Sequence, residues 1–222
     1  MNKILIIAAH PDDEILGVGG TILKHVAQGN EVNLLILGDG ETSKDSMPDV
    51  EKKAAQARKA AEFLGAKNLI LKKLPDQKFD SLPMLDIIKQ IESIIVQIQP
   101  EIVYTHHPYD LNIDHRLTFK ALLTACRPQP HFPVKKILAF ETLSSTEWQI
   151  KDGAHLFCPT HYENIETFID KKIAALKIYS EELREFPHPR SLEGIRILAQ
   201  YRGMEAGYQY AEAFQLIRNL ND

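Results

Sequence analysis

Apolar residues along this chain fall into two alternating patterns. Residues 3–9, 31–37, 68–72 and 102–105 are short stretches rich in Ile, Leu, Val and Ala, each running into polar residues, glycine or proline. Stretches this short and this apolar fit strands buried on both faces, as in parallel sheets covered by helices. Between them the period changes. Residues 21–27 continue a helix that Gly29 and Asn30 close, and residues 50–64 form a second one that ends at Gly65. Over 82–99 the chain places Leu85, Ile88, Ile91, Ile95 and Ile98 at helical spacing until Pro100 stops it. This β-α-β-α order predicts an α/β protein, a Rossmann-like three-layer α/β/α arrangement with a mostly parallel sheet and right-handed crossovers. The second half is less regular. It predicts helices over 114–126, largely over 163–184, and over 192–201, with strands over 136–142 and 213–218.

Composition narrows the class without changing this picture. The 222 residues are 44% hydrophobic and 25% charged, enough apolar material for one sizeable core, and no linker divides them, so a single domain over 1–222 is expected. A formal net charge of -4 with interspersed signs offers no basic field, which argues against a nucleic-acid partner. Cys126 and Cys158 stand apart from each other and read as small buried hydrophobes in a reducing compartment. The apolar run 4–9 is shorter than a signal-peptide core of about 7–15 residues, and nothing approaches the roughly 20 residues of a membrane span. A cytoplasmic location with no membrane span follows as the expectation, and a homo-oligomer is compatible with it.

Two polar clusters carry the chemistry. The first, His10-Pro11-Asp12-Asp13-Glu14, lies where the first strand stops; the second, Thr105 to Arg116, begins where the fourth strand stops. In a parallel sheet both fall at the carboxyl edge, where open α/β sheets bind ligands. His10, Asp13 and His115 then form a two-His, one-carboxylate set that leaves coordination positions open, as catalytic zinc sites do. The same donors suit Fe2+ or another divalent metal. Asp12 diverges from Asp13 along the chain and is the candidate general base for a water whose pKa the ion lowers. Asp110 and Asp114 are candidates to receive the outer N–H of a ligand imidazole.

With these residues in view, the chain resembles the PIG-L/LmbE-like zinc-dependent N-deacetylases. The resemblance rests on His10-Pro11-Asp12-Asp13-Glu14 followed by Gly19-Gly20-Thr21, and on Asp110-Leu111-Asn112-Ile113-Asp114-His115-Arg116. Pro187-His188-Pro189-Arg190-Ser191 and Glu212-Ala213-Phe214 extend it to the C-terminal part. It implies a hydrolase that removes an N-acetyl group from an N-acetylglucosamine-type sugar or glycoconjugate, with His10, Asp13 and His115 on zinc and Asp12 as base. Some members acting on thiol precursors place a histidine three residues before the last ligand, where this chain has Asn112; oxyanion stabilisation then falls to zinc, Asn112 or His188. A substrate-binding helix arginine of some members is matched here by Lys53 or Arg58, and Asp110 and Arg190 complete the candidate substrate contacts. Loops 38–47, 77–83 and 148–160 should carry specificity.

Other readings compete for each motif. Asp13 alone reads as a helix cap, and Gly17, Gly19 and Gly20 as a phosphate turn or as close helix packing, the acidic neighbours opposing the first. His106 and His107 read most simply as structural strand-end residues. At the level of function, the rivals are a non-catalytic nucleotide- or sugar-binding Rossmann-like protein and a deacetylase of a bacillithiol or mycothiol precursor.

Overall fold

The first apolar run becomes the middle of a sheet. In the computed structural model, which describes residues 1–44, 47–130 and 132–221, β1 (Lys3–Ala8) lies in parallel between β2 (Glu31–Gly38) and β4 (Ile102–His106). Outside β2 runs β3 (Asn68–Leu74), and outside β4 runs β5 (Lys136–Phe140), both again parallel. Two antiparallel strands complete the edge beyond β5: β7 (Ala211–Asn219) next to it, then β6 (His161–Asn164). The sheet order is β3-β2-β1-β4-β5-β7-β6. Chain order runs outward from β1 to β3, then jumps to β4 on the other side. That reversal opens a crevice at the carboxyl ends of β1 and β4.

Side-chain alternation on β1 feeds two cores. Ile4, Ile6 and Ala8 join α1 (Asp13–Ala27), α2 (Val50–Leu64), α5 (Ile169–Leu176) and α6 (Leu192–Ala206) on one face. Leu5, Ile7 and Ala9 join α3 (Met84–Ile98) and α4 (Ile113–Ala125) on the other. The result is the expected three-layer α/β/α arrangement. Helix ends follow local chemistry: Asp49 caps α2 by accepting the Lys52 N–H at 2.9 Å, and Gly65 ends it at φ 76°, a left-handed conformation suited to glycine.

The glycines of α1 let other elements close in. A Cβ on Gly17 would fall 2.2 Å from the Phe140 ring, and one on Gly20 would fall 2.8 Å from Ile165. The packing reading of these glycines therefore holds. On the same flank Lys172 Nζ donates to the Leu16 carbonyl at 2.8 Å and to Glu212 Oε1 at 2.6 Å. Glu212 also accepts the N–H groups of Gly20 and Thr21, at 2.8 and 2.7 Å. This buried ion pair ties α5 and β7 to the middle of α1.

Three expectations need correction. The stretch 163–184 opens with the end of β6, continues as α5, and finishes in a 3₁₀ segment, Lys177–Glu182. Strand β6, His161–Asn164, is half-buried at the sheet edge and pairs with β7, so it carries no apolar run to betray it. The strand expected to 142 stops at Phe140, because the Thr142 N–H turns to Thr146 Oγ1 at 2.8 Å. Cys126 is buried as expected but Cys158 is exposed. The last strand contains the expected 213–218 and is longer. Residues 45 and 46 of the loop expected over 38–47 lie outside the described residues. Among the described residues no helix is long and apolar enough to cross a membrane.

Candidate active site

Between the end of β1 and the start of α1 the chain makes a tight turn at the crevice. Asp12 stands there at φ 107°, ψ -29°, a conformation that costs a non-glycine residue of order 1–3 kcal/mol and persists only where neighbours enforce it. Its N–H donates to Glu14 Oε2 at 2.9 Å, and its Oδ2 accepts from Arg190 Nη1 at 2.9 Å. Glu14 in turn accepts from the Tyr179 hydroxyl at 3.1 Å. Asp13 is no helix cap: its Oδ2 accepts the His10 N–H at 2.9 Å and faces three imidazoles.

The second cluster meets the first across the crevice. Asn112 caps α4 by accepting the N–H groups of Asp114 at 2.8 Å and His115 at 3.4 Å, which aims both side chains back at β1. His115 Nε2 lies 3.2 Å from Asp13 Oδ2, and His10 Nδ1 lies 3.4 Å from the same oxygen. Ligand atoms of His10, Asp13 and His115 fall within 4.8 Å of one another. Behind them, His10 Nε2 meets Asp114 Oδ2 at 2.9 Å and Asp76 Oδ1 at 3.1 Å, while His115 Nδ1 meets Asp110 Oδ1 at 3.1 Å.

His10, Asp76 and Asp114 make a second trio with the same spacing, and the two compete for one imidazole. A neutral imidazole has one lone pair. With Nε2–H donated to the carboxylates, Nδ1 is left for the trio with Asp13 and His115. Orphaned atoms point the same way: Asp13 Oδ1 and both ring nitrogens of His115 are buried with no hydrogen bond of good geometry among the described residues. Buried polar atoms left unsatisfied are costly, and a divalent cation at this point would satisfy them. The donor set therefore fits a metal ion.

His106 buttresses this trio without joining it. Its Nε2 accepts the Ala9 N–H at 2.9 Å, its Nδ1 faces Thr142 Oγ1 at 3.3 Å, and its ring stacks on His115 with centroids 3.9 Å apart. Burial, reinforced by His115, holds its pKa well below the ordinary histidine range, so it stays neutral. The imidazoles of His10 and His115 go the other way. Burial resists their charge, but Asp114 and Asp13 raise His10 to about 10, and Asp13 and Asp110 raise His115 to about 9. Those protons occupy the positions an ion would displace. Asp13 is held well below the carboxylate range, burial being outweighed by His115 and by the hydrogen bond from His10. Asp12 is pushed up to about 7, chiefly by burial, with Arg190 pulling against it. An ion on Asp13 would draw it down from there.

On one side the trio's His10 lines an open polar cleft. His10, Asp12, Asn112 and Arg190 line it, together with Ser43, Lys44, Asp76, Gln77 and Glu182. The remaining candidates sit elsewhere. Asp110 is buried behind His115, its oxygens taken by Ser145, by Thr146 at 2.5 Å and by the Asn112 N–H at 2.9 Å, so it braces the His115 ring and lies outside the residues that line the cleft. Lys53 is 1% exposed and bound to Glu182 at 2.7 Å beneath the cleft, and Arg58 lies exposed on α2 away from it. Apolar packing of α2 buries the face that carries Lys53 and turns Arg58 outward. His188 accepts the Arg190 N–H at 3.1 Å and packs edge-on against Trp148, outside the residues that line the cleft. Sequence reasoning missed Asp76 and Glu182. Asp76 follows β3 at the same carboxyl edge as the two clusters, the signal that would have found it; Glu182 arrives from a 3₁₀ segment with no comparable pattern.

The sequence family described as PIG-L, GlcNAc-PI de-N-acetylase, matches residues 5–126. A relative from Escherichia coli K12, an uncharacterized deacetylase YaiS, is 31% identical over 180 residues, covering 78% of this chain and 88% of its own. The diacetylchitobiose deacetylase of Thermococcus kodakarensis is 26% identical over 98% of this chain and 84% of its own. Among solved structures, the N,N'-diacetylchitobiose deacetylase of Pyrococcus horikoshii superposes with a TM-score of 0.79 at 22% identity, covering 98% of this chain and 84% of its own. That last likeness is one of fold.

Proposed function

We propose, since this chain belongs to the PIG-L de-N-acetylase family, that it removes the N-acetyl group from an N-acetylglucosamine-type sugar or glycoconjugate, releasing acetate and a free amine. The observation that carries the reading is the meeting of His10, Asp13 and His115 around unsatisfied buried atoms, with Asp12 beside them at the cleft wall. Zn2+ is the proposed ion, held by those three residues. When bound, it supplies Lewis acidity toward the acetyl carbonyl and lowers the pKa of water. Asp12 takes the proton from the attacking water and returns it to the departing amine. Arg190 keeps that carboxylate on the cleft side. Asn112, which lines the cleft and whose Nδ2 donates to Gln77 Oε1 at 3.1 Å, is the first candidate donor for the developing oxyanion; the Nε2–H of His188, outside the cleft lining, is the second. The whole chain is read as one such domain, and its unpaired cysteines support a reducing, cytoplasmic setting.

Metal analysis combined with acetate release from N-acetylglucosamine glycosides tests this. Asp12→Asn should keep the ion and lose most of the rate, whereas His115→Ala should lose both. Full activity in either variant would overturn the assignment.

A further inference from the structure

The cleft holds cations, yet none of them is free. Of its lining residues Lys44, Arg190 and His10 are basic, His10 being held by Asp76 at 3.1 Å, and Asp12, Asp76 and Glu182 are acidic. Lys44 Nζ lies 2.7 Å from Glu41 Oε1 and 3.0 Å from Glu182 Oε1. Arg190 donates Nη1 to Asp12 at 2.9 Å and Nε to Ser144 Oγ at 2.7 Å. Beneath the wall, buried Lys53 shares Glu182 at 2.7 Å and reaches Glu41 at 3.5 Å. Glu182 thus bridges two lysines and draws the Lys44 ammonium against the wall.

An anionic group entering here would have to share a cation already paired with a carboxylate, so its charge would be offset only in part. It would also face Asp76 and Glu182 across a cleft where field lines are poorly screened. Hydroxyl groups meet no such penalty. Ser43, Gln77 and Asn112 supply neutral donors and acceptors on the same walls. An ion at the trio adds positive charge only beside the acetyl group, where Asp13 offsets part of it. Resting on the deacetylase reading, we infer that this cleft selects N-acetylglucosamine glycosides whose remainder is uncharged, and that Glu182 determines this specificity by withholding Lys44 from anionic aglycones.

The test uses zinc-loaded protein and two glycosides of the same sugar, N,N'-diacetylchitobiose as the neutral one and N-acetylglucosaminyl malate as the anionic one. The neutral sugar should be favoured in kcat/KM by about tenfold or more. Glu182→Gln should shrink that ratio severalfold by lowering KM for the malate conjugate; a ratio within one variant is insensitive to partial loss of folded or metal-loaded enzyme. In the unaltered protein, raising the salt concentration should narrow the gap as charge is screened. Equal or better use of the malate conjugate, an unmoved ratio in Glu182→Gln, or a gap independent of salt would each overturn the inference. If neither sugar loses acetate, the deacetylase reading fails, and the charge preference is then read from calorimetric binding of the two glycosides, with the neutral one expected to bind tighter.

Discussion

Asp12 is held at both ends, its backbone by Glu14 and its carboxylate by Arg190. The strained turn makes the first hold consequential, because an unsupported Asp12 N–H would let the peptide relax and carry the carboxylate off line. Glu14→Ala should therefore lower kcat by about 10- to 100-fold, the loss expected from a small misplacement of a reacting group, with metal content unchanged. Glu14→Gln, which keeps an oxygen for that N–H, should recover most of the rate. Equal kcat in all three proteins would show that Glu14 serves only the helix start. At this scale the sequence was most legible where chemistry and position coincide: His10, Asp13 and His115 are ligand types at strand ends, and they do converge. Lys53 and Arg58 were misplaced because one charge on a helix does not reveal which face is buried. Asp110 was read as facing substrate because sequence cannot show that Ser145 and Thr146 occupy its oxygens from another loop.

The joint between α1, α5 and β7 depends on the Lys172–Glu212 pair. Replacing Lys172 by Met would leave a buried carboxylate with only two N–H partners, a change that costs about 3–5 kcal/mol in comparable buried pairs. A fall of that size in urea-unfolding stability is expected, and a loss under about 0.5 kcal/mol, typical of surface substitutions, would remove the clamp from the account. The neighbouring strand β6 sets an acid limit. Burial of Glu163 would raise its pKa, but hydrogen bonds from His161 and Lys24 bring it down from 4.5 to about 2. A depressed carboxylate contributes stability that is complete above its unfolded pKa and is lost as pH falls toward the folded one. The stability difference between the unaltered protein and Glu163→Gln should hold steady above pH 4.5 and fade as the pH approaches about 2; a difference constant across that window would contradict the ion pair. Elements of the first half were readable because buried parallel strands are nearly pure apolar runs. Strand β6 was not, since it lies half-exposed at an edge and its residues alternate nothing.

At the scale of the molecule, the proposed ion would join the two sides of the sheet's reversal point. Anything that binds the folded state alone stabilises it, by about 2.7 kcal/mol at a hundredfold excess over its dissociation constant. For a chain of this length, zinc should then raise Tm by roughly 5–11 °C. Chelation should reverse the shift, and His115→Ala should abolish it. A calorimetric scan unchanged by zinc, in protein that nevertheless retains the ion, would mean that the unfolded chain binds it equally well. The overall architecture was legible because alternation of strand and helix admits few arrangements; the antiparallel end of the sheet was less so, since pairing direction depends on partners that no local pattern names. The reversal also imposes a timetable. His10 and Asp13 leave the ribosome before the third donor, which follows about a hundred residues later, and Arg190 comes later still. A nascent chain cannot close this site until β4 has docked beside β1 and α4 has begun, so capture of the ion marks the completion of the sheet's centre and would serve, in a refolding experiment, as a clock for that step.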